Sequence, residues 1–127
     1  MHPNFNEIRA LAKYLRIAED LITKLDETHY GLNMYSCTNS YRDVRGVYAV
    51  ANGNSERIRA LNEAVIDFVN REIIRDEAYR EFFDYDACAH AAIVDGDVGS
   101  YLAFYDCHED TVNLYENTYY IYKVERV

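Results

Sequence analysis

The net charge of this chain is confined to its last 52 residues, which are too apolar to remain unfolded. Residues 1–75 hold 10 acidic and 10 basic side chains, whereas residues 76–127 hold 12 acidic and 3 basic ones and so carry the whole charge of −9. The same segment contains 8 of the 13 tyrosines. Disordered acidic tails lack aromatic and β-branched residues. We therefore expect the acidic segment to fold and to hold its carboxylates in fixed positions.

Length and composition predict one domain. A chain of 127 residues is long enough to bury its own core, and it contains no internal repeat, low-complexity tract or linker rich in proline or glycine. The chain divides only by charge. Residues 1–75 form a balanced half, and residues 76–127 form an acidic, tyrosine-rich half.

Several features predict a cytoplasmic protein. The first four residues lack the basic and apolar regions of a secretory signal, and no window approaches the length of a membrane span. Three cysteines, Cys37, Cys88 and Cys107, cannot all pair within one chain. We expect reduced thiols and no membrane association.

An apolar stripe predicts the first helix, from about Asn6 to Glu27. Its spacing alternates between three and four residues, as one face of a helix requires. The stripe consists of Ile8, Leu11, Leu15, Ala18, Ile22 and Leu25. Asn6 is a suitable N-cap.

After Thr28 the period changes to that of strands. Residues 32–37 alternate, residues 44–51 are β-branched and aromatic, and the polar residues 38–43 lie between them, which predicts a β-hairpin. Residues 52–54 predict a turn, after which Ser55 is expected to cap a second helix that runs to about Arg75. Its predicted apolar face contains Ile58, Leu61, Val65, Phe68 or Val69, and Ile73.

The acidic half predicts two helices followed by three strands. Residues 78–83 form the first helix, Asp84 caps the second through Ile93, and residues 95–97 form a turn. The predicted strands are 100–107, 111–115 and 119–125. The expected fold is a single α+β domain in the order α-β-β-α-α-α-β-β-β, with helices packed on an antiparallel sheet.

No motif for catalysis or cofactor binding occurs in the chain. Cys88, His90, Cys107 and His108 offer zinc ligands, but Cys88 and His90 would lie about 200° apart around a helix. No phosphate-binding loop, dinucleotide fingerprint or nucleophile motif is present. We therefore expect a non-catalytic protein with no metal and no cofactor. An active site assembled from dispersed residues is the alternative.

The acidic segment is the candidate binding surface. Between residues 76 and 116, 11 carboxylates are opposed only by Arg80, and such a surface repels nucleic acid and attracts basic proteins. The competing interpretation is a solvated face that keeps the protein soluble. The candidate partner-binding residues are Asp84, Asp86, Asp95, Asp97, Tyr101, Tyr105, Asp106, Glu109, Asp110, Tyr115 and Glu116.

The C-terminal third resembles the end of ArdA-type antirestriction proteins. The resemblance rests on residues 82–87 (FFDYDA), the turn at residues 95–97 and the aromatic strand at residues 119–122. Those proteins are acidic DNA mimics that inhibit type I restriction enzymes. The resemblance implies an acidic, non-catalytic inhibitor that binds the nucleic-acid-binding surface of a host defence enzyme, in antirestriction or anti-CRISPR style.

Two other functions fit the sequence. An immunity or antitoxin-like protein that neutralises a basic nuclease would need the same kind of surface. A small-ligand-binding domain would use the tyrosines to line a pocket. For the inhibitor and for the immunity protein, the partner is a basic, nucleic-acid-binding protein. A homodimer is compatible with all three functions.

Overall fold

The computed structural model describes residues 5–25, 38–73, 82–103 and 106–126. The helices are α1 (Phe5–Leu15), α2 (Gly53–Phe68), α3 (Tyr85–Asp95) and α4 (Val98–Leu102), with a 3₁₀ turn at Glu19–Leu21 and a π-helical turn at Val69–Ile73. The strands are β1 (Thr23–Leu25), β2 (Asn39–Arg42), β3 (Gly46–Asn52), β4 (Glu109–Leu114) and β5 (Asn117–Arg126).

The five strands form one antiparallel sheet in the order β1-β2-β3-β5-β4, with helices on both faces. Alternate residues of β3 point in opposite directions. Tyr48 and Val50 pack on the α1 side, whereas Val47, Ala49 and Ala51 pack towards α2, α3 and α4. The predicted α+β class is therefore confirmed.

Among the described residues, no helix combines the length and apolar character that crossing a membrane requires.

The first helix is shorter than its apolar stripe predicts. It ends at Leu15, and Arg16 adopts a left-handed conformation with φ 59°, which terminates a helix. The later residues of the stripe, Ala18, Ile22 and Leu25, lie beyond the end of α1. Ile22 packs on the α1 side of the sheet and Leu25, in β1, packs on the other side. The prediction of one helix to Glu27 is therefore wrong.

The hairpin is displaced from its predicted position. The first predicted strand, residues 32–37, lies outside the described residues. The predicted polar loop forms β2 instead, because Tyr41 is fully buried there, while β3 matches the second predicted strand. The carboxylate of Asp43 shapes the turn by accepting hydrogen bonds from the backbone nitrogens of Arg45 and Gly46.

The second helix begins earlier than predicted, and its predicted end at about Arg75 lies outside the described residues. It starts at Gly53, after Asn52, instead of at Ser55, and its α-helical part ends at Phe68 before the π-helical turn. The predicted core positions Leu61 and Val65 are fully buried. The sequence left open whether Phe68 or Val69 belongs to the apolar face. In the structure Val69 is buried and Phe68 lies at the surface.

In the described part of the acidic half there are two strands, β4 and β5, where three were predicted. Asp84 caps α3 as predicted, by accepting a hydrogen bond from the Ala87 nitrogen at 2.9 Å, and Gly96 ends the helix with φ 75°. The predicted strand 100–107 is wrong, because residues up to Leu102 form α4. The predicted helix 78–83 lies largely outside the described residues. Strands β4 and β5 agree with the last two predictions.

Gly99 explains why α4 fits where a strand was expected. A methyl group on Gly99 would lie 2.6 Å from the Cys107 carbonyl oxygen and 2.7 Å from the Glu109 nitrogen. The helix therefore lies directly against the backbone that leads into β4. Only a residue without a side chain permits this approach.

Candidate functional site

Helices α3 and α4 present exposed carboxylates and neither lysine nor arginine. No lysine or arginine occurs between Phe82 and Ala103. Four carboxylates in this segment are exposed: Asp84, Asp86, Asp95 and Asp97. We call these four residues the acidic helix surface. They belong to the predicted binding residues, and the structure brings them to the two ends of one 11-residue helix.

The outer face of α3 carries three apolar residues beside the exposed His90. Ala89 and Ala92 are buried against the core, yet Ala87, Ala91 and Val94 are exposed, and Val94 is 69% accessible. These three residues lie at i, i+4 and i+7 and so share one side of the helix. A helix that is apolar on both sides usually packs on both sides. The outer face therefore has the composition of a contact surface.

The position of Asp95 is unfavourable for the helix itself. Asp86 lies in the first turn of α3, where the helix dipole stabilises a negative charge, but Asp95 is the last residue of the same helix. A carboxylate at a helix C-terminus is destabilising by roughly 0.3–1 kcal/mol at a surface site. Helix stability therefore does not account for an acid at this position.

Glu109, another predicted binding residue, is held within the protein. Arg57 donates two hydrogen bonds to its carboxylate, each 2.7 Å long, and the Tyr122 hydroxyl donates a third at 2.7 Å. The guanidinium also lies 4.8 Å above the ring of Tyr120. This pairing raises the pKa of Arg57. Glu109 is therefore occupied by a cation from the charge-balanced half.

Asp106 and Asp110 are likewise engaged on the other face of the sheet. The Tyr14 hydroxyl donates to Asp110 Oδ2 at 2.7 Å, and Lys123 Nζ lies 3.5 Å from Asp106 Oδ2. Burial, and then the hydrogen bond to Asp110, raises the pKa of Tyr14 well above its usual range. Both carboxylates therefore have partners within the protein, of which only Lys123 carries a positive charge.

Tyr115 and Glu116 form the two-residue turn between β4 and β5. Both have positive φ, 51° and 68°, as a type I′ hairpin turn requires, although neither is the glycine or asparagine that such turns favour. Tyr115 is 63% exposed, and its hydroxyl accepts a hydrogen bond from Arg9 Nη1 at 3.1 Å. These two predicted residues lie at the surface, on a backbone that only some side chains tolerate.

Two predicted binding residues remain, Tyr101 and Tyr105, and only Tyr101 belongs to the described residues. Tyr101 lies in α4, half-buried, with its ring edge-on to Phe68 and its hydroxyl 3.8 Å from Cys88 Sγ. Tyr105 lies outside the described residues. Tyr119 and Tyr122, from the same segment, are fully buried. Tyr101 is therefore a packing residue at the surface of the core and not an exposed contact.

Sequence reasoning missed the buried carboxylates of Asp43, in the β2–β3 turn, and of Glu7, in α1. The Glu7 carboxylate is the more buried of the two. It is 1% exposed and accepts hydrogen bonds from the Tyr41 hydroxyl at 2.6 Å and from Asn39 Nδ2 at 2.9 Å. Burial raises the pKa of this carboxyl group. A signal was present in the sequence, because Glu7 precedes Leu11 by four residues and so falls on the buried stripe of α1.

The described cysteines and histidines do not converge. Cys88 packs against the core, while His90 is exposed on the outer side of α3. Within the described ranges, no three side chains of histidine, cysteine, aspartate or glutamate are placed to share a metal ion.

The chain matches no protein-family model, no curated protein sequence and no solved structure.

Proposed function

We propose that this protein is an acidic, non-catalytic inhibitor that binds a basic, nucleic-acid-binding surface of a host defence enzyme. The observation that carries the proposal is the acidic helix surface, where exposed carboxylates flank α3 and no lysine or arginine lies between Phe82 and Ala103. A fixed array of negative charge attracts the grooves that otherwise hold phosphates.

The apolar outer face of α3 supports binding over a purely solubilising role. Solubility requires charge but not an exposed Val94 between Asp86 and Asp95. Interfaces combine an apolar centre with a polar or charged rim. The centre supplies most of the affinity, while the charges raise the association rate and orient the two partners. The unfavourable placement of Asp95 at the end of α3 adds to this argument.

The class of target comes from the resemblance of the C-terminal third to ArdA-type proteins. On this proposal the chain acts in the cytoplasm of a bacterium or an infected host cell, where restriction and CRISPR enzymes operate. Nucleic acid then competes with this protein for one surface of the target. The inhibitor itself needs no metal and no cofactor.

A pair of charge-matched variants tests the surface. The triple variant Asp86→Asn, Asp95→Asn, Asp97→Asn removes three charges from the acidic helix surface. The control triple variant Asp20→Asn, Asp67→Asn, Glu72→Gln removes three charges from exposed sites outside α3 and α4, two of which pair with Arg71 at the surface. We expect the first variant to lower the association rate with the captured target by about tenfold or more, and the control to change it little.

The target is first captured from a lysate and identified, and its nucleic-acid-dependent activity is then assayed with both variants. Association should slow as salt rises, because the Debye length shrinks from about 10 Å at 0.1 M to about 3 Å at 1 M. Equal effects of the two triple variants would show that only net charge matters. A ternary complex of inhibitor, target and DNA or RNA would contradict occupancy of the nucleic-acid surface.

A further inference from the structure

Strand β4 forms one edge of the sheet. Among the described residues it pairs only with β5, and the order β1-β2-β3-β5-β4 places it at the end. Leu114 and Asn117 flank the two-residue turn and form a hydrogen-bonded pair. From this pair onwards, non-hydrogen-bonded and hydrogen-bonded pairs alternate along β4 and β5. Asp110 and Val112 therefore bond inwards to β5. The backbone groups of Glu109, Thr111 and Asn113 point outwards.

The usual protections of an edge strand are weak in β4. Edge strands are normally short, charged, bulged or interrupted by proline. At the opposite edge β1 has three residues, but β4 has six, with a regular register to β5 and no proline. Its two charged side chains, Glu109 and Asp110, are already paired with Arg57 and Tyr14.

One contact covers part of the edge. Lys13 Nζ donates to the Asn113 carbonyl oxygen at 3.2 Å, which leaves that oxygen a second lone pair. Thr111 and Asn113 are themselves exposed. The edge therefore offers two adjacent outward residues whose hydrogen-bonding groups suit another extended strand.

We propose that β4 pairs antiparallel with β4 of a second copy of this chain, which joins the two sheets into one of ten strands. Only outward residues can face outward residues, so a register that uses at least two of them in each copy places the two-fold axis at Asp110, Thr111 or Val112. An axis at Asp110 opposes two carboxylates of like charge. An axis at Thr111 requires the outward groups of Glu109, whose nitrogen is crowded by Gly99.

The axis at Val112 avoids both problems. Val112 then faces Val112 of the second copy, a favourable pair of β-branched side chains, and Asp110 faces Leu114. Thr111 and Asn113 of each copy exchange hydrogen bonds in both directions, which gives four backbone hydrogen bonds across the axis. This interface is separate from the acidic helix surface, so it stands or falls independently of the proposed function.

The first test is the mass in solution. Light scattering across a dilution series, in enough salt to screen the repulsion between two chains of charge −9, should give twice the monomer mass at high concentration. Amide exchange should slow at Thr111 and Asn113 as the dimer forms, while Val112, already bonded to β5, should not respond. A monomer mass at every concentration would overturn the proposal.

Substitutions on the edge test the register. Thr111→Pro removes an outward N–H that β5 does not use, so it should abolish the dimer with little loss of monomer stability, whereas Val112→Pro should unfold the hairpin. The double variant T111K/N113K places lysines opposite lysines at both pairs. The matched variant T111E/N113K places opposite charges there instead. Dissociation of the first with retention of the second is expected, and equal behaviour of the two would refute this register.

Discussion

Replacing Glu109 should destabilise the fold instead of slowing recognition of a partner. Arg57 and Glu109 are only 16% and 17% exposed at their side chains, and the carboxylate also accepts from Tyr122. Removing one member of a buried ion pair typically costs about 3–5 kcal/mol, because the other charge remains without its partner. Since water reaches about one-sixth of each side chain, we place Glu109→Ala at about 3 kcal/mol.

Urea denaturation of Glu109→Ala measures this loss directly, and a double-mutant cycle with Arg57→Met isolates the pair itself. For a chain of this size a loss of about 3 kcal/mol corresponds to a melting temperature lower by roughly 10 °C. Asp95→Asn is the control, because relief of the helix dipole should leave its stability unchanged or raise it by about 0.3–1 kcal/mol. The reasoning fails if Glu109→Ala keeps its denaturation midpoint while association with the target slows.

Three further predictions concern single positions. Burial raises the pKa of Glu7 above its ordinary 4.5, so the native state holds that proton more tightly and stability falls as pH rises through the raised pKa. Glu7→Gln should abolish this fall and raise the melting temperature at neutral pH; a lower melting temperature at neutral pH would contradict it. Glu116→Gly should add about 0.5–1 kcal/mol to the free energy of unfolding by relieving the φ of 68°, whereas Glu116→Ala should not. Gly99→Ala should cost about 1–3 kcal/mol in chemical denaturation, because its methyl group meets the Cys107 carbonyl oxygen, while the exposed Ser100→Ala should be near neutral.

The sequence predicted local structure best where one residue decides the geometry. Asp84 and Gly96 mark the ends of α3 because a carboxylate cap and a left-handed glycine act within a single turn. The apolar stripe that ends at Leu25 gave the wrong prediction of a single helix. Its spacing of three and four residues also fits a chain in which Ile22 and Leu25 pack on different sides of a sheet. Period alone does not identify where Arg16 ends the helix.

The candidate site was only partly predictable for a similar reason. Composition identified the acidic segment, and four of its carboxylates are exposed around α3. It could not reveal that Glu109 is paired with Arg57, a residue 52 positions away, because that pairing depends on how α2 packs across the sheet. Charge counted along a chain therefore overestimates the charge that a folded surface presents.

Helix α1 has a consequence for how the chain acquires its fold. Its side chains bind residues near the other end of the sequence, since Tyr14 and Asp110 are 96 positions apart and Arg9 and Tyr115 are 106 apart. During synthesis α1 leaves the ribosome about 100 residues before these partners do. Strand β5, the final element, is an interior strand between β3 and β4. A nascent chain that stops before β5 therefore lacks the middle of its sheet, and the sheet should be completed only after β5 has left the ribosome.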